Sequence, residues 1–211
     1  MAKFTGYALL LMALVAGFSF GFAFPKIYIP GQPELTHNNL KENLTLYQFM
    51  LWGILAIILL DLLISWTIYL YFKNVNKNFA VLALGLRLVY TFIFGIATYY
   101  LGRNLGLTDD NNTTIMANYD LFHTVWSIGL IVFGFHLLLV GVLMKQHKLI
   151  PRVLWYLTVL AGASYCLVHV LKLAGPELAA WSNTLNNILA LPMALGELGL
   201  AVWLIWRGGK T

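Results

Sequence analysis

The chain has 211 residues, of which 60% are hydrophobic and 10% are charged, and its mean hydropathy is +0.78. Soluble domains carry about 25% charged residues, so this composition excludes an ordinary soluble protein and indicates an integral membrane protein. The formal net charge of +5 does not indicate nucleic-acid binding, because the basic residues lie at the ends of apolar runs rather than in one patch. The single cysteine, Cys166, excludes an internal disulfide and dithiol chemistry.

In chain order, the apolar runs predict six transmembrane helices, which form one all-α membrane domain over residues 1–211. A helix needs roughly 20 apolar residues to cross a hydrocarbon core of about 30 Å, and each run meets that length. We place the spans at about 5–24, 44–72, 79–101, 119–144, 151–172 and 184–206, with outer loops at about 25–43 and 102–118.

The first span and the loop after it carry conflicting signals. Lys3 precedes an apolar run, as in a cleaved signal peptide, but no clean small-residue cleavage site follows, which favours a retained span. Three prolines between residues 25 and 33 forbid a continuing helix. We expect His37, which follows them, to be a solvated loop residue.

The basic residues at the span ends predict the orientation. Lysine and arginine at these ends favour the cytoplasmic side of a membrane. One side holds Lys3, Lys73, Lys77, Lys145, Lys148, Arg152, Arg207 and Lys210, whereas the other holds Lys26, Lys41, Arg103 and Lys172. We therefore predict that both termini are cytoplasmic and that the protein is a multi-pass protein of the plasma membrane, the inner membrane in bacteria.

Ionisable residues inside the spans are functional candidates by default, because a charge is unfavourable in the bilayer core. Asp61 and Arg87 lie at similar distances from the turn between spans two and three, so we expect them to meet across that hairpin. At about 1.5 Å per residue, His136 and Glu197 reach the same depth. Asn186 aligns with Glu197 at helical spacing. These five residues form the predicted polar centre. Three interpretations of it stay open: a structural network that fixes the helix register, a proton path, and a pocket for a polar headgroup.

A second cluster is predicted nearer the outer surface. Asp120 and His123 share one helix face, which continues through Gly134 as a narrow strip suited to close packing. His169 lies on a stripe with Gly162 in the next helix and reaches a similar depth. The two histidines suit a b-type haem, and with Asp120 they suit zinc or another divalent metal. Hydrogen bonding to neighbouring helices or interfacial water is the third interpretation.

Several segments together carry a resemblance. They are the Asp61–Trp66 segment with the YLYFKNVNK that follows it, LGLRLVYTFIFG around Arg87, FGFHLLLVGVLM followed by IPR around His136, and LPMALGELGLAVWLIW around Glu197. The chain resembles a bacterial family of six-span membrane proteins named domain of unknown function 4386, from span two onward. The resemblance implies this architecture and no particular activity. It also implies that the four residues within these segments belong to the shared pattern, more than the histidines nearer the outer surface do.

The leading functional hypothesis is a binding, transport or assembly protein for a small molecule or a lipid, because no recognised catalytic motif is present. Two alternatives stay open: a metal-dependent membrane enzyme at the outer leaflet, using Asp120, His123 and His169, and a haem or quinone redox subunit. The expected partners are the lipid bilayer, a small-molecule or lipid ligand, and a second copy or another membrane subunit. Nucleic acid is not among them.

Overall fold

The structure is a computed structural model that describes residues 1–107 and 112–208. These residues form helices and connections, without a β-strand. The helices are α1 (Ala2–Ala16), α2 (Phe24–Ile27), α3 (Pro33–Glu42), α4 (Leu44–Phe72), α5 (Lys77–Arg103), α6 (Asn112–Gln146), α7 (Arg152–Leu173) and α8 (Pro176–Trp206). A π-helical segment, Gly17–Ala23, joins α1 to α2, and a 3₁₀ turn, Asn104–Gly106, follows α5.

Six helical segments in the described residues are long and apolar enough to cross a membrane. They are Ala2–Ile27, Leu44–Phe72, Lys77–Gly106, Asn112–Gln146, Arg152–Leu173 and Thr184–Trp206. Their outward faces carry large apolar side chains, such as Trp52, Leu59 and Phe92, that are mostly exposed. Such a surface suits lipid rather than water. The predicted six-span all-α membrane fold is confirmed.

The helices form a closed ring. From α4 to α8, each helix packs against the next one in the chain, and α1 packs against both α4 and α8. This closure brings Ala2 and Gly208 together, since a Cβ added to Gly208 would lie 2.8 Å from Cβ of Ala2. We call the membrane side that holds these two residues the terminal side, and the opposite side, where α3 lies, the loop side.

The loop side is more helical than the sequence predicts. The segment 25–43 contains α2 and α3, α6 begins within the expected loop 102–118, and α8 begins at Pro176 instead of near residue 184. Pro25, Pro33 and Pro176 lie in the first turn of a helix, where a backbone N–H has no partner to lose. Residues 108–111 of the predicted loop, and Lys210 of the predicted orientation, lie outside the described residues.

His37 is buried, so the expectation of a solvated loop histidine is wrong. Its side chain is 5% exposed, and its Nδ1 is hydrogen-bonded to Oδ1 of Asn112. The reason is that α3 folds back onto the loop-side end of α6. A local sequence pattern does not reveal such a return of the chain.

Helices α6 and α7 approach closely through glycines. A Cβ added to Gly134 would lie 2.7 Å from the carbonyl oxygen of Gly162, and a Cβ added to Gly162 would lie 2.7 Å from the carbonyl oxygen of Gly134. Side chains larger than hydrogen would push the helices apart at this point. The close-packing strip predicted on α6 is therefore confirmed, and it sets the face of α6 that meets α7.

Candidate functional site

Arg87 on α5 is the centre of a buried charge cluster. Its side chain is fully buried, and its Nε and Nη2 donate hydrogen bonds to Oδ1 of Asp61 at 2.9 and 2.6 Å. Asp61 lies on the adjacent helix α4 and is 1% exposed. Charge-assisted hydrogen bonds of this length are among the strong ones in proteins. The contact predicted across the hairpin is present in the structure.

Two further helices bring a carboxylate and an imidazole to Arg87. Its Nη1 donates to Oε1 of Glu197 on α8 at 2.9 Å and lies 3.4 Å from Nε2 of His136 on α6. Nδ1 of His136 is 2.8 Å from the carbonyl oxygen of Ala83, to which it donates. Nε2 of the same ring then accepts from Arg87, which identifies a neutral imidazole. The structure thus brings together four of the five predicted residues of the polar centre.

The charges of this cluster do not balance. Two carboxylates, Asp61 and Glu197, face one guanidinium, so the net charge is −1 when both carboxylates are ionised. A buried charge needs a compensating partner. The Asp61 side chain is 2% exposed, whereas the Glu197 side chain is 21% exposed. Glu197 is therefore the more accessible of the two carboxylates.

A cavity of about 330 Å³ lies beside the charge cluster, and we call it the central cavity. Asp61, Arg87 and Glu197 form its polar part. The remaining wall includes the aromatic side chains of Tyr90, Trp126, Phe133 and Tyr165 and the thioethers of Met12 and Met193. Aromatic faces carry partial negative charge, so a wall with several rings favours a positively charged group over a negative one.

A second cavity, of about 370 Å³, lies toward the loop side between α6, α7 and α8, and we call it the loop-side cavity. Its polar lining includes His123, Ser127, His169, Lys172, Ser182 and Asn186. It shares five lining residues with the central cavity: Trp126, Leu130, Tyr165, Met193 and Ala194. The two cavities are neighbours on either side of these side chains.

Asn186 does not belong to the charge cluster, which corrects its predicted place in the polar centre. It lines the loop-side cavity and is absent from the lining of the central cavity. Helical spacing puts Asn186 and Glu197 on the same face of α8, but eleven residues of helix separate them by about 16 Å along the axis. Alignment on a face does not bring two residues to the same depth.

Asp120, His123 and His169 do not form a three-ligand site. Both histidines line the loop-side cavity, but Asp120 is exposed and does not. Within residues 1–107 and 112–208, no group of three His, Cys, Asp or Glu side chains is placed to hold a metal ion. Asp120 acts on Tyr28 instead: burial, together with the negative charge of Asp120, raises the pKa of the Tyr28 phenol. Haem ligation by the two histidines stays a prediction.

A larger open groove, of about 770 Å³, runs along the outer face of α4 and α5. Its wall is mainly apolar and includes Trp52, Leu55 and Tyr99, with Gln48 and Arg103 near its loop-side end. None of the residues of the charge cluster lines it. Because it lies on the lipid-facing surface, we do not assign it as the functional site.

A family model described as a domain of unknown function, DUF4386, matches residues 4–208. The chain belongs to this family. The match includes the first span, which the resemblance in the sequence motifs does not cover.

A relative from Archaeoglobus fulgidus, described as an uncharacterized protein, is 29% identical over 174 residues. The similar region covers 82% of this chain and 89% of the relative. No solved structure matches the chain. The similarity therefore extends over most of the membrane domain. It assigns no activity to the present chain, because the relative is itself described as uncharacterized.

Sequence reasoning missed several residues that line the two cavities, among them Trp126, Tyr165, Lys172 and Ser182. Tyr165 and Lys172 lie four residues before and three residues after His169, so one helix face carries all three. Trp126 lies one helical turn after His123, near the start of span four. Helical spacing from the predicted histidines was the signal that would have found these three. Ser182 lies in a predicted loop and had no such signal.

Proposed function

We propose that this membrane protein binds a small organic cation, such as a quaternary or protonated amine, in the central cavity. The observation that carries the proposal is the unequal charge of the cluster, in which two carboxylates meet the single guanidinium of Arg87. Glu197 is the proposed partner of the cation. A bound cation would bring the net charge of the cluster to zero.

The two carboxylates differ in their availability to a ligand. Oδ1 of Asp61 accepts two hydrogen bonds from Arg87, and the side chain is almost fully buried. Glu197 accepts from Arg87 through Oε1 and is partly exposed. The bond to Oε1 orients the Glu197 carboxylate and leaves Oε2 for a ligand. This difference supports Glu197, rather than Asp61, as the contact residue.

The aromatic wall of the central cavity supports a cation over a neutral ligand. Tyr90, Trp126 and Tyr165 line the same cavity as Asp61 and Glu197. A cation over an aromatic face gains about 0.5–2 kcal/mol, depending on how far it is removed from water. The volume of about 330 Å³ lies at the lower end of the range of about 300–1,000 Å³ for small-molecule sites. A small amine fits these properties.

The proposed binding serves transport, or retention of the cation within the membrane. The proposed location is the plasma membrane, the inner membrane in a bacterium, with both termini in the cytoplasm. The excess of lysine and arginine on the terminal side supports this orientation. The loop side would then face outward, and the loop-side cavity would lie between the outside and the central cavity.

Calorimetric titration of the detergent-purified protein with choline tests the proposal. Choline carries a permanent positive charge, and its carbon isostere dimethylbutanol has nearly the same shape without that charge. We expect binding of choline and at least about tenfold weaker binding of dimethylbutanol, because only the cation pairs with Glu197.

The matched variants are Glu197→Gln and Glu177→Gln, both on α8. Glu177 is exposed in the first turn of that helix and should have no effect on choline affinity. Glu197→Gln should weaken choline binding at least about tenfold, while its thermal unfolding stays close to wild type because Asp61 and Arg87 still pair. Equal choline affinity of Glu197→Gln and wild type would disprove the proposal.

A further inference from the structure

The loop-side cavity has a polar lining that the charge cluster does not use. Lys172, near the end of α7, is half-buried at this cavity. It makes no hydrogen bond or ion pair with the residues that the structure describes. The lining residues described for the cavity include no aspartate or glutamate. The cavity therefore holds a positive charge without a negative partner.

His169 adds a second polar group that lacks a partner. Its side chain is 8% exposed, and in the described part of the chain its Nδ1 has no hydrogen-bond partner. A buried polar atom of this kind is unfavourable unless something supplies the missing bond. The imidazole lines the same cavity as Lys172, so both groups are available to one ligand in that cavity.

Other side chains narrow the chemistry of that ligand. Asn186 lies at the exposed edge of the cavity and offers two amide N–H groups. The hydroxyl of Ser182 donates to the carbonyl oxygen of Val168 at 2.8 Å, so its hydrogen is already in use. His123, on the facing helix α6, adds a second imidazole. An ammonium group and several N–H donors together suit a group with several negatively charged oxygens.

We propose that the loop-side cavity binds a phosphate group, with Lys172 as the charge partner and His169 and Asn186 as hydrogen-bond donors. The depth favours phosphate: Lys172 is in the last turn of the membrane-spanning helix Arg152–Leu173, at the level where lipid headgroups lie. The phosphate belongs either to an anionic lipid or to a free molecule in solution. This site is separate from the proposed cation site, and its test does not depend on choline binding.

Two measurements on the full-length protein distinguish the sources of the phosphate. Calorimetric titration of delipidated, detergent-purified protein with inorganic phosphate tests a free anion. Native mass spectrometry after reconstitution in phosphatidylcholine vesicles, with and without phosphatidylglycerol, tests an anionic headgroup. We expect saturable binding in at least one of the two measurements, with binding in the first pointing to a soluble ligand and binding in the second to a lipid.

The variants are Lys172→Gln, Lys172→Arg and Lys148→Gln. Lys172→Gln should weaken phosphate binding, or retention of phosphatidylglycerol, at least tenfold, whereas Lys172→Arg keeps the charge and should keep most of the binding. Lys148 is exposed in the turn on the terminal side, so Lys148→Gln should behave as wild type.

His169→Asn supplies the comparison if Lys172→Gln does not fold, and it should weaken binding severalfold because it removes the imidazole donor. Absence of binding in both measurements would overturn the proposal. Wild-type affinity of Lys172→Gln in both measurements would overturn it as well.

Discussion

The central cavity and the loop-side cavity share five lining side chains, and their polar groups differ in sign. The central cavity meets two carboxylates, one guanidinium and several aromatic rings. The loop-side cavity meets an ammonium group, two imidazoles and an amide, with no carboxylate in its described lining. The five shared side chains belong to α6, α7 and α8. The difference in charge therefore comes from the lining residues that the two cavities do not share.

The comparison shows that depth decides which charge needs a partner. Arg87 lies deep in the ring and is tied to Asp61 and Glu197, because a lone charge there would be strongly unfavourable. Lys172 lies near the end of its helix, where its flexible side chain reaches the headgroup level. It therefore tolerates the absence of a carboxylate partner. The charges of the deep site are paired within the protein, whereas Lys172 at the shallow site has no carboxylate partner among the described lining residues.

The largest expected effect comes from breaking the deep site. Arg87→Met leaves the buried Asp61 and the partly exposed Glu197 without their shared guanidinium, so the free energy of unfolding should fall by about 3–5 kcal/mol. Thermal or denaturant unfolding in detergent measures this loss. Arg103→Met, at the exposed loop-side end of α5, is the matched control and should unfold as wild type. Wild-type stability of Arg87→Met would show that the pairing is not structurally required.

A smaller effect is expected at the shared wall. Trp126 lines both cavities, but its aromatic face attracts only a cation. Trp126→Leu should therefore weaken choline binding about two- to thirtyfold and change phosphate binding by less. Trp52→Leu removes a lipid-exposed indole and serves as the control, with no change in either affinity. Equal weakening of both ligands by Trp126→Leu would show a purely structural wall.

The smallest effect is expected for Asp120→Asn. Asp120 is exposed and lines neither cavity, so the free energy of unfolding should change by less than about 0.5 kcal/mol. Elemental analysis of purified wild type and variant gives a second measurement, with the same metal content expected for both. Stoichiometric zinc or iron in wild type that disappears in Asp120→Asn would restore the predicted metal site and contradict the contrast between the cavities.

The parts of the site that were predictable from the sequence share one property: their depth follows from the number of residues to a nearby helix end. Asp61 and Arg87 flank the turn between α4 and α5 at similar distances, so their meeting follows from helix geometry. His136 and Glu197 were placed at the same depth by counting from basic residues at helix ends. Asn186 was misplaced because its alignment with Glu197 concerns the angle around α8 and not the depth.

Other residues were unpredictable for a different reason. His37 is buried because α3 folds back onto α6, and no pattern within residues 25–43 encodes that contact. In the sequence, Lys172 is one of several basic residues at the ends of spans, and nothing near it in the chain marks it as part of a cavity. Its missing partner depends on side chains from α6 and α8, which lie far from it in the chain.

By itself, the sequence determined that this protein is a six-span helical membrane domain, and it placed four ionisable groups at one depth. Hydropathy and the 3.6-residue period act within a single helix, so these properties are local. The tertiary structure decided how α1 closes the ring, where the central and loop-side cavities lie and that Glu197 is the more exposed of the two carboxylates at the central cavity. These properties depend on how side chains from different helices fill the space between them, and no single helix contains that information.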